Sequence, residues 1–234
     1  MWSYYGAKTN IVKYYPPPKY DKIIEPFAGT ARYALKYFDH DVLLVDKYDV
    51  IIKIWKWLQK CSPNDILTLP RFFKKGQSID EFKFDCEEAK YLIGFLLGYS
   101  TNKPRKIVTI KLEQRPNFIN YSLKRIASNI FKIRHWKIEL GTYEKISNQK
   151  ATWFIDPPYL NGGNSYVENY INFNQLSIWC QNREGQIIVC ESGSADWLPF
   201  KPFVKQKTRT GWQNELIYTN EKTEFDNIQL KLFE

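Results

Sequence analysis

Asp156-Pro157-Pro158-Tyr159 directly follows the apolar run Thr152-Trp153-Phe154-Ile155. A carboxylate, a rigid carbonyl-bearing turn and an aromatic plate therefore stand at the end of a predicted buried strand. The two prolines fix φ and carry no backbone N–H, so their carbonyls serve only as acceptors. An exocyclic –NH2 has two protons, and Asp156 and the carbonyl of Pro157 can each accept one. That draws electron density onto the nitrogen and aims its lone pair at an electrophile. Tyr159 offers a ring for a base that has left the duplex, as enzymes acting on a base require. At average residue usage such a tetrad arises by chance in roughly one chain in a thousand of this length, which favours chemistry over an ordinary strand-closing turn.

A base pocket of this kind needs a donor site beside it. Lys22-Ile23-Ile24-Glu25-Pro26-Phe27-Ala28-Gly29-Thr30-Ala31-Arg32 reads as strand, tight loop and helix start, with residues 31–38 helical in pattern. Val42-Leu43-Leu44-Val45-Asp46 reads as a second buried strand ending in a carboxylate. Gly29 permits close approach of a ligand to the backbone, and an acid at the end of the next strand can grip both hydroxyls of a ribose.

With these two motifs together, the chain resembles the Dam-like adenine-N6 DNA methyltransferases, whose order is cofactor loop, target-recognition segment, catalytic tetrad. The aromatic-x-Gly-Gly-Lys segment that covers S-adenosylmethionine in that family stands here as Tyr4-Tyr5-Gly6-Ala7-Lys8, with Tyr4 in a tryptophan position and Ala7 in a glycine position. The Phe-x-Gly-x-Gly loop is Phe27-Ala28-Gly29-Thr30-Ala31, with alanine for the second glycine, and Asp46 matches the ribose-binding acid. The resemblance implies S-adenosylmethionine as cofactor, held by Tyr4, Lys8, Phe27, Ala28, Gly29, Asp46, Ile155 and Asp156. It assigns Asp156, Pro157, Pro158 and Tyr159 to catalysis. It also implies the methyltransferase sheet with an antiparallel strand near its end, to which residues 185–192 and 214–220 would contribute strands. The middle of the chain departs from the family: Ser100-Thr101-Asn102-Lys103-Pro104-Arg105 replaces an Asn-Arg-x-Gly-type stretch, so no target sequence carries over.

The net charge of +9 is concentrated in that middle. Lys103, Arg105, Lys106, Lys111, Arg115, Lys124, Arg125, Lys132, Arg134 and Lys137 face the single acid Glu113, an excess equal to that of the whole chain. Such a run is an electrostatic footprint for a phosphate backbone, against the plainer reading of a solvated charged face. Leu123, Ile126, Ile130 and Ile133 fall at helical spacing across residues 121–137, which puts Lys124, Arg125 and Lys132 on the wet face. Residues 107–112 alternate as one arm of a hairpin would, and residues 88–98 read as a buried helix beneath them. Expected DNA contacts are Asn102, Lys103, Arg105, Lys106, Arg115, Lys124 and Arg125, with Asn102, Arg105 and Arg115 the candidates for reading base edges.

With 234 residues the chain can bury one substantial core. The fold class expected is α/β, a Rossmann-like methyltransferase sheet with an inserted target-recognition segment. Residues 1–60 and 140–234 would form the catalytic domain, and residues 61–139 the insertion. Cys61, Cys86, Cys180 and Cys190 form no close-spaced pair, so neither a zinc knuckle nor a disulfide framework is expected. His40 and His135 stand in no metal-ligand or nucleophile arrangement, and no metal is expected. No apolar stretch reaches bilayer length and residues 1–8 are too polar for a signal peptide, which predicts a cytoplasmic protein of prokaryotic or phage type with no membrane partner. Gly162-Gly163, flanked by Asn161 and Asn164, reads as a turn or as a lip closing over the flipped base.

The reaction expected is methyl transfer from S-adenosylmethionine to the N6 amine of a flipped adenine in double-stranded DNA, with a companion restriction enzyme or partner subunit conceivable. Cytosine-N4 methylation is the alternative within the class. RNA and protein amides fit less well. A catalytically weak nucleic-acid-binding subunit of a methyltransferase complex is the alternative outside it.

Overall fold

The computed structural model describes residues 1–2, 4–98, 101–108, 115, 117–161, 165–208 and 211–221. The seven strands among them are β1 (Lys22–Glu25), β2 (Asp41–Asp46), β3 (Lys137–Leu140), β4 (Ala151–Ile155), β5 (Gly185–Ser192), β6 (Lys201–Thr208) and β7 (Gly211–Thr219). They form one sheet in the order β3-β2-β1-β4-β5-β7-β6. β1 to β5 pair in parallel, while β7 is antiparallel to both its neighbours, so β6 runs with the rest. The fold is thus α/β with a Rossmann-like, mostly parallel sheet. The order runs outward in both directions from the β1–β4 pair, which makes the crevice beyond the C-terminal ends of these two strands the switch point where such sheets take ligands.

Helices cover both faces. The chain folds α1 (Arg32–Lys36), α2 (Asp49–Lys60), α3 (Pro63–Leu67), α4 (Glu87–Leu96), α5 (Phe118–Ala127) and α6 (Phe173–Gln181). β4 is buried at every position, as an apolar run covered on both sides must be. On one face Ile23, Val42 and Phe154 pack with Trp55 of α2, Phe95 of α4 and Leu123 of α5 in one continuous cluster. Residues from the 61–139 segment therefore share their core with the sheet. On the other face Ile24, Trp153 and Ile187 pack with Trp179 of α6 and Tyr143.

Local departures from the periodicity have physical causes. The helical pattern across residues 121–137 resolves into α5, a 3-10 turn at Ile130–Ile133 and the start of β3 at Lys137. Asn129 donates its side-chain amide to the carbonyl of Arg125 at 2.7 Å and ends the helix by taking that acceptor. The sheet consequently resumes at Lys137, inside the segment expected to be the insertion. Leu123 and Ile126 are buried while Lys124 and Arg125 are exposed, as the spacing requires. Ile107 makes an isolated antiparallel bridge to Ser78, and the remainder of the expected hairpin arm, residues 109–112, lies outside the described residues. The Gly162-Gly163 turn and Asn164 lie outside them as well. No helix among the described residues is long and apolar enough to cross a membrane.

Candidate functional site

The loop after β1 is shaped by one carboxylate. Asp46, at the end of β2, accepts from the amide of Gly29 at 2.8 Å through Oδ2 and from that of Tyr48 at 2.9 Å through Oδ1. Trp55 Nε1 donates to the carbonyl of Gly29 at 2.9 Å from below. Gly29 sits at φ +45, a left-handed conformation natural to glycine, and Ala31 adopts φ 45 and ψ 51 as well. The alanine that replaces the second glycine thus takes a backbone conformation that costs an alanine ~1–2 kcal/mol. Burial pushes the Asp46 carboxyl up to about 6, against the opposing pull of the backbone amides that bond to it.

Glu25 closes β1 from within. Its side chain is buried and accepts from the amide of Ala34 at 2.6 Å, fixing α1 to the strand. Burial pushes its carboxyl up to about 8, so it carries its proton at neutral pH. Glu25, Gly29, Thr30 and Asp46 all line one concave cavity that opens to solvent.

Asp156 lines the same cavity from the end of β4. Lys8 Nζ meets Asp156 Oδ1 at 2.9 Å, bonds the carbonyl of Gly6 at 3.1 Å and stands 4.7 Å over the ring of Tyr159. Lys8 is 6% exposed. Its burial would lower its pKa, but the Asp156 and Glu215 carboxylates more than reverse this and hold it charged. Burial raises the Asp156 carboxyl, and the neighbouring ammonium opposes that rise.

Two acids from the adjacent strands clamp the rest of the tetrad. Tyr159 donates its hydroxyl to Glu215 Oε2 of β7 at 2.8 Å. The amide of Leu160 donates to Glu191 Oε2 of β5 at 3.1 Å, and Trp197 Nε1 donates to the same oxygen at 2.9 Å. Glu191 pairs with Leu216 and Ser192 with Glu215, so the two acids point to opposite faces of the sheet and hold the turn from either side.

The structure brings Tyr4, Lys8, Phe27, Ala28, Gly29, Asp46, Asp156 and Pro158 into one cavity wall. Ile155 is fully buried in the core between β4 and α6 and does not line it. Pro157 is buried outside the wall, and Tyr159 is turned toward Glu215. Lys8, expected on the cofactor, is paired with the tetrad carboxylate. Of the expected DNA contacts, Lys103, Arg105, Lys106, Arg115 and Lys124 are exposed. Arg125, also exposed, donates to the carbonyl of Met1 at 3.1 Å, and Asn102 bonds the carbonyl of Ser165 in the segment after the tetrad.

Sequence reasoning passed over Glu25, Glu191 and Glu215. Each is a buried acid within a strand, beside buried apolar neighbours, the one signal that marks a carboxylate with a task. It also passed over Tyr166 and Glu168, which line the cavity from the post-tetrad segment. That segment is tied down by Glu168 to Lys47 at 3.1 Å and by the ring of Tyr166, edge-on to Tyr5. All four cysteines are free, and no cluster of three or more metal-ligating side chains occurs among the described residues. No protein-family model matches the chain, and no curated protein is significantly similar to it.

Proposed function

We propose that this protein is a DNA methyltransferase that uses S-adenosylmethionine to methylate the N6 amine of an adenine drawn out of the duplex. The observation that carries the reading is the meeting, in one cavity at the switch point, of the Asp46-held glycine loop with the Asp156 carboxylate. The reversed β7 is the antiparallel strand that the resemblance implies, and it supports the same assignment. The cavity suits the cofactor: the Thr30 hydroxyl is buried there without a hydrogen-bond partner, beside glycine backbone that a ligand can approach.

S-adenosylmethionine, when bound, supplies a methyl group on a sulfonium, an electrophile that needs no further activation. Tyr4, Phe27, Gly29, Thr30 and Asp46 are the residues to hold it, with Asp46 addressing the ribose hydroxyls. The work left to the protein is alignment and polarisation. Asp156 accepts a proton of the target amine and, with the tetrad backbone, orients its lone pair. Lys8 keeps Asp156 ionised and fixed. The amine sheds one proton once its nitrogen is methylated, and the Asp156 carboxylate stands ready to receive it. Glu215 and Glu191 hold the tetrad turn rigid from both faces.

The exposed cations of the 61–139 segment supply phosphate contacts, and that segment is the proposed target-recognition element. Cytosine-N4 methylation uses the same acceptor and is the second reading, since nothing in the Asp156 geometry distinguishes the two amines. The remaining expectations, a cytoplasmic location and a companion restriction enzyme or partner subunit, stand with this reading as proposals. The deciding experiment incubates the protein with S-adenosylmethionine and mixed-sequence duplex DNA, then digests to nucleosides for mass spectrometry. N6-methyladenine supports the assignment and N4-methylcytosine promotes the second reading. The absence of any methylated nucleoside, with S-adenosylmethionine binding also absent by calorimetry, overturns both.

A further inference from the structure

The hairpin formed by β6 and β7 runs past the edge of the sheet on which the tetrad sits. β4 and β5 are in register from Ala151 with Gly185 to Ile155 with Val189, so Ser192 already lies three positions beyond the strand that leads into Asp156. Ser192 pairs with Glu215 of β7, and β7 begins four residues earlier at Gly211. At ~3.3 Å per residue the paired strands overhang the end of β5 by about 13 Å. Glu215, at the base of that overhang, is the residue that holds the Tyr159 hydroxyl. The hairpin therefore stands beside the tetrad, beyond the C-terminal ends of β4 and β5.

Phe203 and Val204 pack against the core at the base of the hairpin, but its outer part has an unusual chemistry. From Pro199 to Gln213 the chain carries Lys201, Lys205, Lys207 and Arg209 and no acid. Trp212 is 64% exposed, and Lys205 is exposed. Lys205 pairs with Asn214, two residues from Trp212 on the same strand, so the indole and the ammonium share one face as diagonal neighbours. An exposed tryptophan has no folding purpose in that position, and it stands in a stretch of chain rich in basic residues. Aromatic rings interleaved with cations are the combination by which proteins hold unstacked nucleic acid, the ring taking a base and the cation a phosphate.

We infer that the β6–β7 hairpin is a second nucleic-acid contact, separate from the basic segment at residues 101–137. Trp212 stacks on a base that has lost its stacking neighbour, and Lys205 neutralises the adjacent phosphate. The inference rests on the proposed function, since an enzyme that takes a base out of the duplex creates such an unstacked position next to the tetrad. The occupant fits the charge of the hairpin, whose base is tied to the tetrad by the Glu215 contact with Tyr159 while Trp212 projects from the opposite face of β7.

The test measures binding of the full chain to a mixed-sequence duplex and to the same duplex carrying one abasic site, across a range of salt. Wild type should prefer the abasic duplex. Trp212→Ala should lose about 10-fold or more in affinity and most of that preference, and Trp212→Phe should keep the greater part of both. Lys205→Gln should lower the log–log salt slope by about 1. Because both side chains are exposed, S-adenosylmethionine binding and melting temperature should stay at wild-type values. Trp212→Ala binding within twofold of wild type, with the preference intact, overturns the hairpin contact and leaves the proposed function standing. Loss of self-association with DNA binding unchanged would give Trp212 to a protein interface and also overturns it. A wild-type protein that binds neither duplex overturns the hairpin contact and the proposed function together.

Discussion

Lys8 and Asp156 form a buried ion pair at 2.9 Å, joining the N-terminal segment to the tetrad across 148 positions of sequence. Neither partner is accounted for alone. A buried ammonium needs a carboxylate to offset its lost hydration, and Asp156 needs an ammonium to stay ionised in a site whose burial pushes its proton on. The pair fixes both the charge and the direction of the one side chain on which the proposed chemistry depends.

Asp156→Ala should therefore abolish methyl transfer, a loss of about 3 kcal/mol or more at a preorganised acceptor, while Asp156→Asn keeps a trace through its carbonyl. Lys8→Gln should act differently. With the ammonium gone, the main opposition to the rise in the Asp156 pKa is lost and only the Tyr159 hydrogen bond remains. The carboxylate is then protonated up to a higher pH, and the acid limb of the activity profile moves to higher pH. Rate–pH profiles of wild type and Lys8→Gln check this. Coincident limbs would separate Lys8 from the ionisation of Asp156 and leave it a packing role.

Asp46 has two duties, and a measurement has to separate them. It already accepts from two backbone amides, so Asp46→Ala should strand both and cost about 1–3 kcal/mol of stability for each. Asp46→Asn still accepts through one oxygen, and should lose less stability while raising the dissociation constant for S-adenosylmethionine about 10-fold or more, as expected for the loss of a charged hydrogen bond. Since the Asp46 carboxyl is pushed up to about 6, wild-type affinity should fall as pH drops through that value. The asparagine variant should show a flat profile there. Equal affinities at pH 7 in wild type and Asp46→Asn would remove the ribose contact.

Much of this arrangement was legible in the chain. The strands carrying Glu25, Asp46 and the tetrad are short apolar runs closed by a polar residue, and central parallel strands have no other way to be written. β3 was not legible, because only Ile138 of its four residues is buried and an edge strand needs no alternation. β6 escaped for a related reason: it lies at the opposite edge of the sheet, and Pro202 and four basic residues across residues 199–213 hide its pattern. The tetrad stood out in the sequence as the basis of the proposed chemistry, but its supports did not. Lys8, Glu191 and Glu215 reach it only through tertiary contacts, and no local spacing encodes a partner 148 residues away.

The loop at Ala31 offers a test of stored strain. Ala31 and Ala34 are both buried, but only Ala31 has a positive φ. Ala34→Gly should cost ~1 kcal/mol of helix propensity and ~0.8 kcal/mol for the lost methyl burial. At Ala31 the same change also relieves ~1–2 kcal/mol of left-handed strain, so Ala31→Gly should be near neutral. Paired denaturant titrations give the difference directly. Equal losses at the two positions would mean that Ala31 is unstrained.

Glu25 sets the direction in which stability should change with pH. Its carboxyl is pushed from the ordinary 4.5 to about 8 by burial, so the folded protein binds a proton that the unfolded chain releases. A group raised in this way favours the fold fully below the unfolded value and loses that contribution as pH climbs through the folded value. The window is therefore about 4.5 to 8, with stability falling as pH rises. At ~1.4 kcal/mol for each tenfold change in proton affinity, the whole span is worth several kcal/mol. Glu25→Gln keeps an oxygen to accept from the Ala34 amide but cannot ionise. Melting temperatures taken from pH 5 to pH 8 should fall for wild type and decline less steeply for Glu25→Gln, the two curves separating most at the alkaline end. Parallel curves would show that Glu25 does not ionise on that range, and that the proton it holds at the head of α1 plays no part in the balance between folded and unfolded chains.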